Sequence, residues 1–363
     1  MEGVGVTRRF WENKRVFLTG HTGFKGSWLS IWLAYLGAKV YGFSLPPPTR
    51  PSLYVEAGLD GRIAGEMGNI LDRDILTASL GAVRPEIVIH MAAQSLVRPS
   101  YADPVESFAT NVMGTVHLLE AVRHTPSVRV VMIVTSDKCY ENPESLWGVR
   151  ECDPMGGQDP YSGSKGCAEL VTSAYRRSFF ACEAGSEPRV AVVSVRAGNV
   201  IGGGDWAQDR LIPDIVRAFI ADDSVMIRNP EAVRPWQHVL VPLSGYLLLA
   251  EKAWEDPESC QGGWNFGPAL EDAQPVRRIV ERMADLWGGN RSWRIQPGEH
   301  PREATLLRLD CSKALWRLGW RSRWSLERAL ETTVDWYRRH HQGENGYDLA
   351  LAQIERFMET EAP

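Results

Sequence analysis

Val16-Phe17-Leu18-Thr19-Gly20-His21-Thr22-Gly23-Phe24-Lys25-Gly26-Ser27-Trp28 is the stretch that decides the fold. An apolar run that reads as a buried strand gives way to three glycines spaced three apart. A second apolar run, Leu29-Ser30-Ile31-Trp32-Leu33, continues as a helix. In a GxxGxxG turn the first glycine permits the tight reversal. The second lets the backbone approach a pyrophosphate, and the third lets helix pack close to strand. The free N–H groups at the helix start then face the anion. Glycine-rich turns occur in other α/β proteins too, but a strand before and a helix after favour dinucleotide binding.

Outward from this unit the pattern repeats. Residues 39–44, 62–66, 86–93, 128–135 and 189–200 read as strands, most of them apolar throughout, as parallel strands are. Residues 75–83, 111–123 and 160–180 read as helices. Strand–helix alternation predicts an α/β fold with a doubly wound parallel Rossmann sheet. Pro46-Pro47-Pro48-Thr49-Arg50-Pro51 is a rigid loop. After Gly202-Gly203-Gly204-Asp205 the elements shorten, and Trp, Pro and Arg become frequent. The expected division is a dinucleotide-binding domain over 11–200, with later segments returning to it, and a smaller C-terminal substrate-binding lobe over 201–345.

The 363 residues are 44% hydrophobic and 23% charged, an ordinary globular composition. A net charge of -5 provides no basic field for nucleic acid or a membrane surface. No apolar run is long enough to span a bilayer, and residues 1–9 lack an apolar signal core, so a cytoplasmic setting is expected. The six cysteines are scattered, with no CxxC pair, and nothing reads as a metal site.

The strand over 128–135 ends in Ser136-Asp137-Lys138, and Tyr161-Ser162-Gly163-Ser164-Lys165 opens the long helix. Tyr161 and Lys165, four apart, lie on one helix face. A phenol titrates near ~10 in water and is a poor base at neutral pH. A neighbouring ammonium and a nicotinamide cation favour the phenolate. The phenolate then accepts a hydroxyl proton as a hydride leaves the same carbon. Ser136, at the carboxyl end of its strand, faces the same crevice and can hold that hydroxyl.

Together the glycine turn, Ser136 and the Tyr161/Lys165 pair resemble the extended short-chain dehydrogenase/reductase family, over nearly the whole chain. The strings 19–26, 135–140, 159–169, 195–206 and Arg234-Pro235-Trp236-Gln237-His238-Val239 are similar to the CDP-glucose branch of its nucleotide-sugar 4,6-dehydratases. The resemblance implies a redox-neutral lyase reaction on CDP-glucose, with resident NAD, yielding a CDP-4-keto-6-deoxyglucose. It implies Tyr161 as the base at the C4 hydroxyl, Asp137 as the acid for the departing C6 hydroxyl, and Lys138 as the base at C5. Related dehydratases place a glutamate where Lys138 stands. It further implies deoxysugar biosynthesis for lipopolysaccharide O-antigen, and a homodimer or homotetramer paired through the helices over 111–123 and 161–180. A 4-epimerase on the same scaffold would keep Ser136, Tyr161 and Lys165 but need no acid–base pair. A non-catalytic NAD-binding protein is the third reading.

The expected cofactor-binding residues are Gly20, His21, Thr22, Gly23, Phe24, Lys25, Gly26, Ser44, Asn69, Ile70, Ala92, Ala93 and Gln94, with Tyr161 and Lys165. No acidic residue occurs between Val40 and Pro51, where many NAD enzymes hold the ribose. His21, Ser44 and Thr49 are the substitutes, and Arg50 leaves NADP open. The expected substrate-binding residues are Gln94, Asn199, Arg210, Arg234, Trp236 and Arg302, with Arg234 the first choice for a diphosphate. Arg228, Trp206 and His300 are secondary candidates, and His90 reads as a strand residue packed near the site.

Overall fold

The structure, a computed structural model, describes residues 5–142, 144, 147–180, 190–289, 291–298 and 306–360. Seven strands form the central sheet: β1 (Arg15–Thr19), β2 (Lys39–Ser44), β3 (Ala64–Met67), β4 (Ile87–His90), β5 (Val130–Val134), β6 (Ala191–Arg196) and β7 (Gly262–Asn265). Their order is β7-β6-β5-β4-β1-β2-β3, and every pairing is parallel. The chain leaves β1 toward β3 on one side and resumes at β4 on the other. A crevice therefore opens at the carboxyl ends of β1 and β4. Strands β4, β5 and β6 are buried at every position because helices cover both faces.

The helix Phe24–Tyr35 starts two residues before Gly26 and buries Trp28, Leu29, Ile31, Trp32 and Leu33. It is apolar nearly all round because it lies between the sheet and the last helix, Gly346–Glu359. The strand expected over 86–93 stops at His90, where the N–H groups of Met91 and Ala92 turn to Thr19 Oγ1 at 3.1 Å. The strand expected over 189–200 ends at Arg196, and Val200–Ile201 pairs instead with Gln237–His238. A π turn, Ala109–Met113, precedes the helix Gly114–Arg123. Two short helices, Val97–Ala102 and Pro104–Phe108, had no counterpart in the sequence reading.

The region beyond residue 200 contributes three small two-stranded pairings and the long helix Leu240–Glu255, which packs on β5 and β6. It also returns β7 to the sheet edge. One hydrophobic cluster runs through both regions and includes Trp28 and Trp32 from the helix Phe24–Tyr35 with Trp264, Trp320 and Trp336 from beyond residue 200.

Candidate active site

The glycine turn is built by contact rather than by flexibility. Gly20 has φ +76°, and a Cβ there would lie 2.6 Å from the Ala92 nitrogen. A Cβ on Gly26 would lie 2.1 Å from the Gly20 carbonyl oxygen. Any side chain at either position drives the loop and the helix apart. The helix opens on Gly23 without a side-chain cap, so its first-turn amides stay available to an anion. This cradle fits a dinucleotide pyrophosphate.

On β5, the chain leaves the sheet through Thr135 and Ser136 into a short turn, Asp137–Cys139. Opposite, the helix Pro160–Phe179 begins one residue before Tyr161. Asp159 caps it by accepting from the Ser162 N–H at 2.9 Å, and Pro160 occupies the first helical position. Ser100 Oγ accepts from the Tyr161 N–H at 3.1 Å, so the helix Val97–Ala102 fixes the start of this turn.

These elements bring Ser136, Asp137, Tyr161 and Lys165 together. Ser136 Oγ donates to Asp137 Oδ1 at 3.0 Å and accepts from the Lys138 N–H at 3.2 Å. The Tyr161 phenol faces the same Ser136 hydroxyl, whose pull lowers its pKa against the effect of burial. Lys165 Nζ donates to the Val134 carbonyl at 3.4 Å. All four residues are buried. Burial raises the Asp137 carboxyl to about 6 against the pull of Lys138 and Arg234. Burial also raises the Tyr161 phenol to about 12 and lowers the Lys165 ammonium to about 8. Asp137 Oδ2 is buried and has no hydrogen-bond partner. Gly198 stands over it, where a Cβ would approach within 3.1 Å.

The structure distributes the remaining expected residues more widely. Lys25 extends into the catalytic group, donating from Nζ to the Tyr246 hydroxyl at 3.1 Å. Burial, then Lys165 and Arg210, lowers its ammonium to about 7, with Asp137 opposing. His21 is fully buried, hydrogen-bonded to Ser44 Oγ at 3.1 Å and set edge-on to Tyr54, and burial lowers it to about 4. Ser44 also bonds Thr22 Oγ1 at 2.9 Å, so these three side chains hold one another at the end of β2. Ala92 and Ala93 follow β4 beside the glycine turn, with Ala92 against Gly20. Phe24 approaches the Gly202 loop, and Ile70 packs under Gly114. Asn69 lies beyond β3 on the rim of an open recess. His90 is buried between Thr19 Oγ1, at 2.7 Å, and Thr115 Oγ1.

Among the substrate candidates, Arg234 is buried and acts on Asp137 across the crevice. Arg210 bridges Asp205, at 3.1 Å, and Ser95, at 3.1 Å, and its charge reaches Tyr161. Asn199 follows Gly198, its carbonyl accepting from the Gln237 N–H at 3.0 Å. Gln94 and Trp236 are not brought into the group. The Gln94 amide closes on its own loop, accepting from the Leu96 N–H at 2.6 Å and donating to the Leu96 carbonyl at 3.0 Å. The Trp236 indole packs in the main hydrophobic cluster with its N–H on the Gln274 carbonyl at 2.9 Å. Arg302 and His300 lie outside the described residues.

Three contributors went unread in the sequence. Glu169 accepts from Thr135 Oγ1 at 2.5 Å, Ser194 Oγ at 2.6 Å, and Arg196 Nε and Nη2 at 2.8 Å each. It ties the catalytic helix to β5 and β6 one turn beyond Lys165, and its place four residues after that lysine was the available signal. Tyr246 had no signal, lying in an apolar helix run. Asn111 donates to Ser164 Oγ at 2.8 Å and to the Gln94 carbonyl at 3.0 Å, joining the catalytic helix to the loop after β4.

The sequence matches the family model for GDP-mannose 4,6 dehydratase over residues 17–333. The chain belongs to the GDP-mannose 4,6-dehydratase family. Within this dehydratase family, a Salmonella typhimurium protein named CDP-glucose 4,6-dehydratase is 52% identical over 353 residues, covering 97% of this chain and 98% of its own. UDP-glucose 4-epimerase 3 of Oryza sativa subsp. japonica is 26% identical, covering 90% of this chain and 91% of its own. A solved dTDP-glucose 4,6-dehydratase from Streptomyces venezuelae, with NAD and TYD bound, superposes with a TM-score of 0.76 at 24% identity, covering 92% of this chain and 99% of that one. That superposition bears out the Rossmann sheet.

Proposed function

We propose that the protein converts CDP-glucose to CDP-4-keto-6-deoxyglucose and water, as a hydro-lyase with NAD as its resident cofactor. The observation that carries this reading is the buried carboxyl of Asp137, with one unpartnered oxygen, set beside Ser136 and Tyr161. A 4-epimerase has no use for an acid there. The near full-length likeness to a CDP-glucose 4,6-dehydratase supports the substrate.

Each catalytic residue then has a task. Tyr161, as phenolate, takes the proton of the C4 hydroxyl, and Ser136 positions that hydroxyl. Lys165, one turn along the same helix, stabilises the phenolate. Lys138 removes the C5 proton and returns it. Asp137, its carboxyl raised to about 6 by burial, gives its proton to the C6 hydroxyl as it departs. NAD, when bound in the glycine cradle, would supply the hydride acceptor for C4 and the hydride donor for C6. The cradle of Gly20, Gly23 and Gly26, with Phe24 and Lys25 at the helix start and Ala92 and Ala93 beside it, would hold the cofactor. His21, Thr22 and Ser44 would meet its ribose, and Asn69 and Ile70 its adenine. Arg234, Arg210 and Asn199 would meet the sugar-nucleotide phosphates.

Exposed Val105, Phe108, Met113, Leu170 and Phe179 lie on the helices flanking this side of the sheet, which supports pairing of two copies through them. Among the described residues no helix is long and apolar enough to cross a membrane. Cys139, Cys152, Cys167, Cys260 and Cys311 are free thiols, which agrees with a cytoplasmic setting. Deoxysugar formation for O-antigen is the process this product would enter.

The test is incubation of purified enzyme with CDP-glucose and NMR of the product. A 4-keto-6-deoxy sugar without net NADH supports the reading. CDP-galactose would make the protein an epimerase, and binding without turnover would make it non-catalytic.

A further inference from the structure

The proton ledger of the proposed reaction does not close on its own. The C4 hydroxyl proton passes to Tyr161 as the C4–H bond breaks and its hydride departs. Lys138 takes the C5 proton, the C6–O bond breaks, and the Asp137 proton leaves with the C6 oxygen as water. The hydride then forms the new C6–H bond, and Lys138 returns its proton to C5. The substrate has lost one water. Lys138 is as it began. Tyr161 holds one proton more than at the start, and Asp137 one fewer. Every turnover therefore requires Tyr161 to give up one proton and Asp137 to gain one.

The structure sets one hydroxyl, that of Ser136, between these two groups. Ser136 Oγ donates to Asp137 Oδ1 at 3.0 Å. The Lys138 N–H occupies one lone pair of the same oxygen at 3.2 Å. The remaining lone pair is open to the hydroxyl of Tyr161, which faces Ser136. All three side chains are buried, at 8% exposure or less, so bulk water has poor access to either end. With Tyr161 protonated, the donors would run one way: Tyr161 O–H to Ser136 Oγ, and Ser136 O–H to Asp137 Oδ1, the second of which the structure already shows.

We propose that Ser136 is the proton conduit that resets the enzyme, passing to Asp137 the proton that Tyr161 takes from the substrate. One concerted shift breaks the Tyr161 O–H and Ser136 O–H bonds and forms Ser136 O–H and Asp137 O–H. No outside acid or base takes part. The products of the shift are the phenolate and the carboxylic acid that the next substrate needs, so base and acid are regenerated together. Rotation about the Asp137 Cβ–Cγ bond exchanges the protonated oxygen with Oδ2, which has no protein partner. The charges facing the chain are Lys138, Lys165, Lys25, Arg210 and Arg234, with Asp159 as the opposing carboxylate near Tyr161. This inference rests on the 4,6-dehydratase reading and adds to it a role for Ser136 beyond holding the substrate hydroxyl.

Rapid-quench kinetics of the NAD-loaded enzyme with excess CDP-glucose tests it. Ser136→Ala is expected to give a burst of about one product per site, then a steady state slower than the burst by about 10²-fold, the scale of one lost proton-transfer group. Imidazole buffer should speed the slow phase and leave the burst unchanged, because the proton must then travel through bulk solution. Ser136→Thr keeps the hydroxyl and should show no burst and no buffer dependence. An Ser136→Ala enzyme whose first and later turnovers slow equally, without buffer rescue, overturns the conduit. So does an Ser136→Thr enzyme with the alanine variant's burst. Absence of the 4-keto-6-deoxy product from the wild-type enzyme would instead refute the dehydratase reading itself.

Discussion

Replacing Glu169 by alanine removes the buried junction on which the catalytic helix sits. The carboxylate accepts four hydrogen bonds of 2.5–2.8 Å from Thr135, Ser194 and Arg196. Its ion pair with Arg196 is nearly sealed from water, with side-chain exposures of 5% and 4%. Without the carboxylate, the Arg196 guanidinium stays buried with the Tyr140 hydroxyl and the Glu151 carbonyl as its remaining acceptors. Breaking a buried pair from one side costs about 3–5 kcal/mol. At about 2 cal/mol/K of unfolding entropy per residue, the 363-residue chain loses about 4–7 °C of Tm. Scanning calorimetry at fixed pH and ligand concentration measures this. The double variant Glu169→Leu/Arg196→Met, which removes both charges and keeps the volume, should recover most of the loss. A Glu169→Ala protein within about 1 °C of wild type would refute the reasoning, since the calculated loss of about 4–7 °C lies well outside that margin. A double variant no better than the single would show that the hydrogen bonds, not the stranded charge, carry the effect.

Three further outcomes follow from the same structure. Glu251 accepts from the Thr7 N–H, the Thr7 hydroxyl and the Trp11 indole, and burial raises its carboxyl from 4.5 to about 7. The folded state then holds this proton where the unfolded chain has released it, so the contribution is full below pH 4.5 and is lost as pH rises through 7. Unfolding curves of wild type minus Glu251→Gln should show that fall; a flat difference contradicts it. Gly26→Ala puts a methyl where 2.1 Å separates it from the Gly20 carbonyl, so NAD affinity measured by calorimetry should fall at least ~10²-fold, the effect of one distorted anion cradle. Lys138→Ala should still wash hydride between C4 and bound NAD but stall before water loss, read by isotope exchange; full product formation would remove Lys138 from its role.

What was readable in the sequence is what local pattern dictates. Strand β5 is a continuous apolar run and β1, β2 and β4 carry apolar stretches, GxxGxxG marks a strand–turn–helix join, and the Tyr161/Lys165 spacing is one turn of helix. Direction and partnership were less legible. Lys25 lies between two cradle glycines, yet its flexible arm ends on Tyr246, 221 residues away in sequence. Trp236 sits in a string full of functional residues, but an indole fills a core as readily as it covers a sugar, and here it packs. Gln94 folds onto its own loop because Leu96 offers both a donor and an acceptor two residues on. Strand β7 is short and begins with two glycines, so neither alternation nor an apolar run announced it. The Glu169–Arg196 junction joins residues 27 apart on different elements, which only the packed sheet brings together.

The central claim is an internal hydride transfer from C4 to C6 of one sugar. CDP-glucose carrying deuterium at C4 tests it most directly, with the product examined by NMR and mass spectrometry. The account predicts a CDP-4-keto-6-deoxyglucose with the deuterium in its C6 methyl group and no net NADH. Deuterium returned to C4 with inverted configuration, or lost to water, would contradict it.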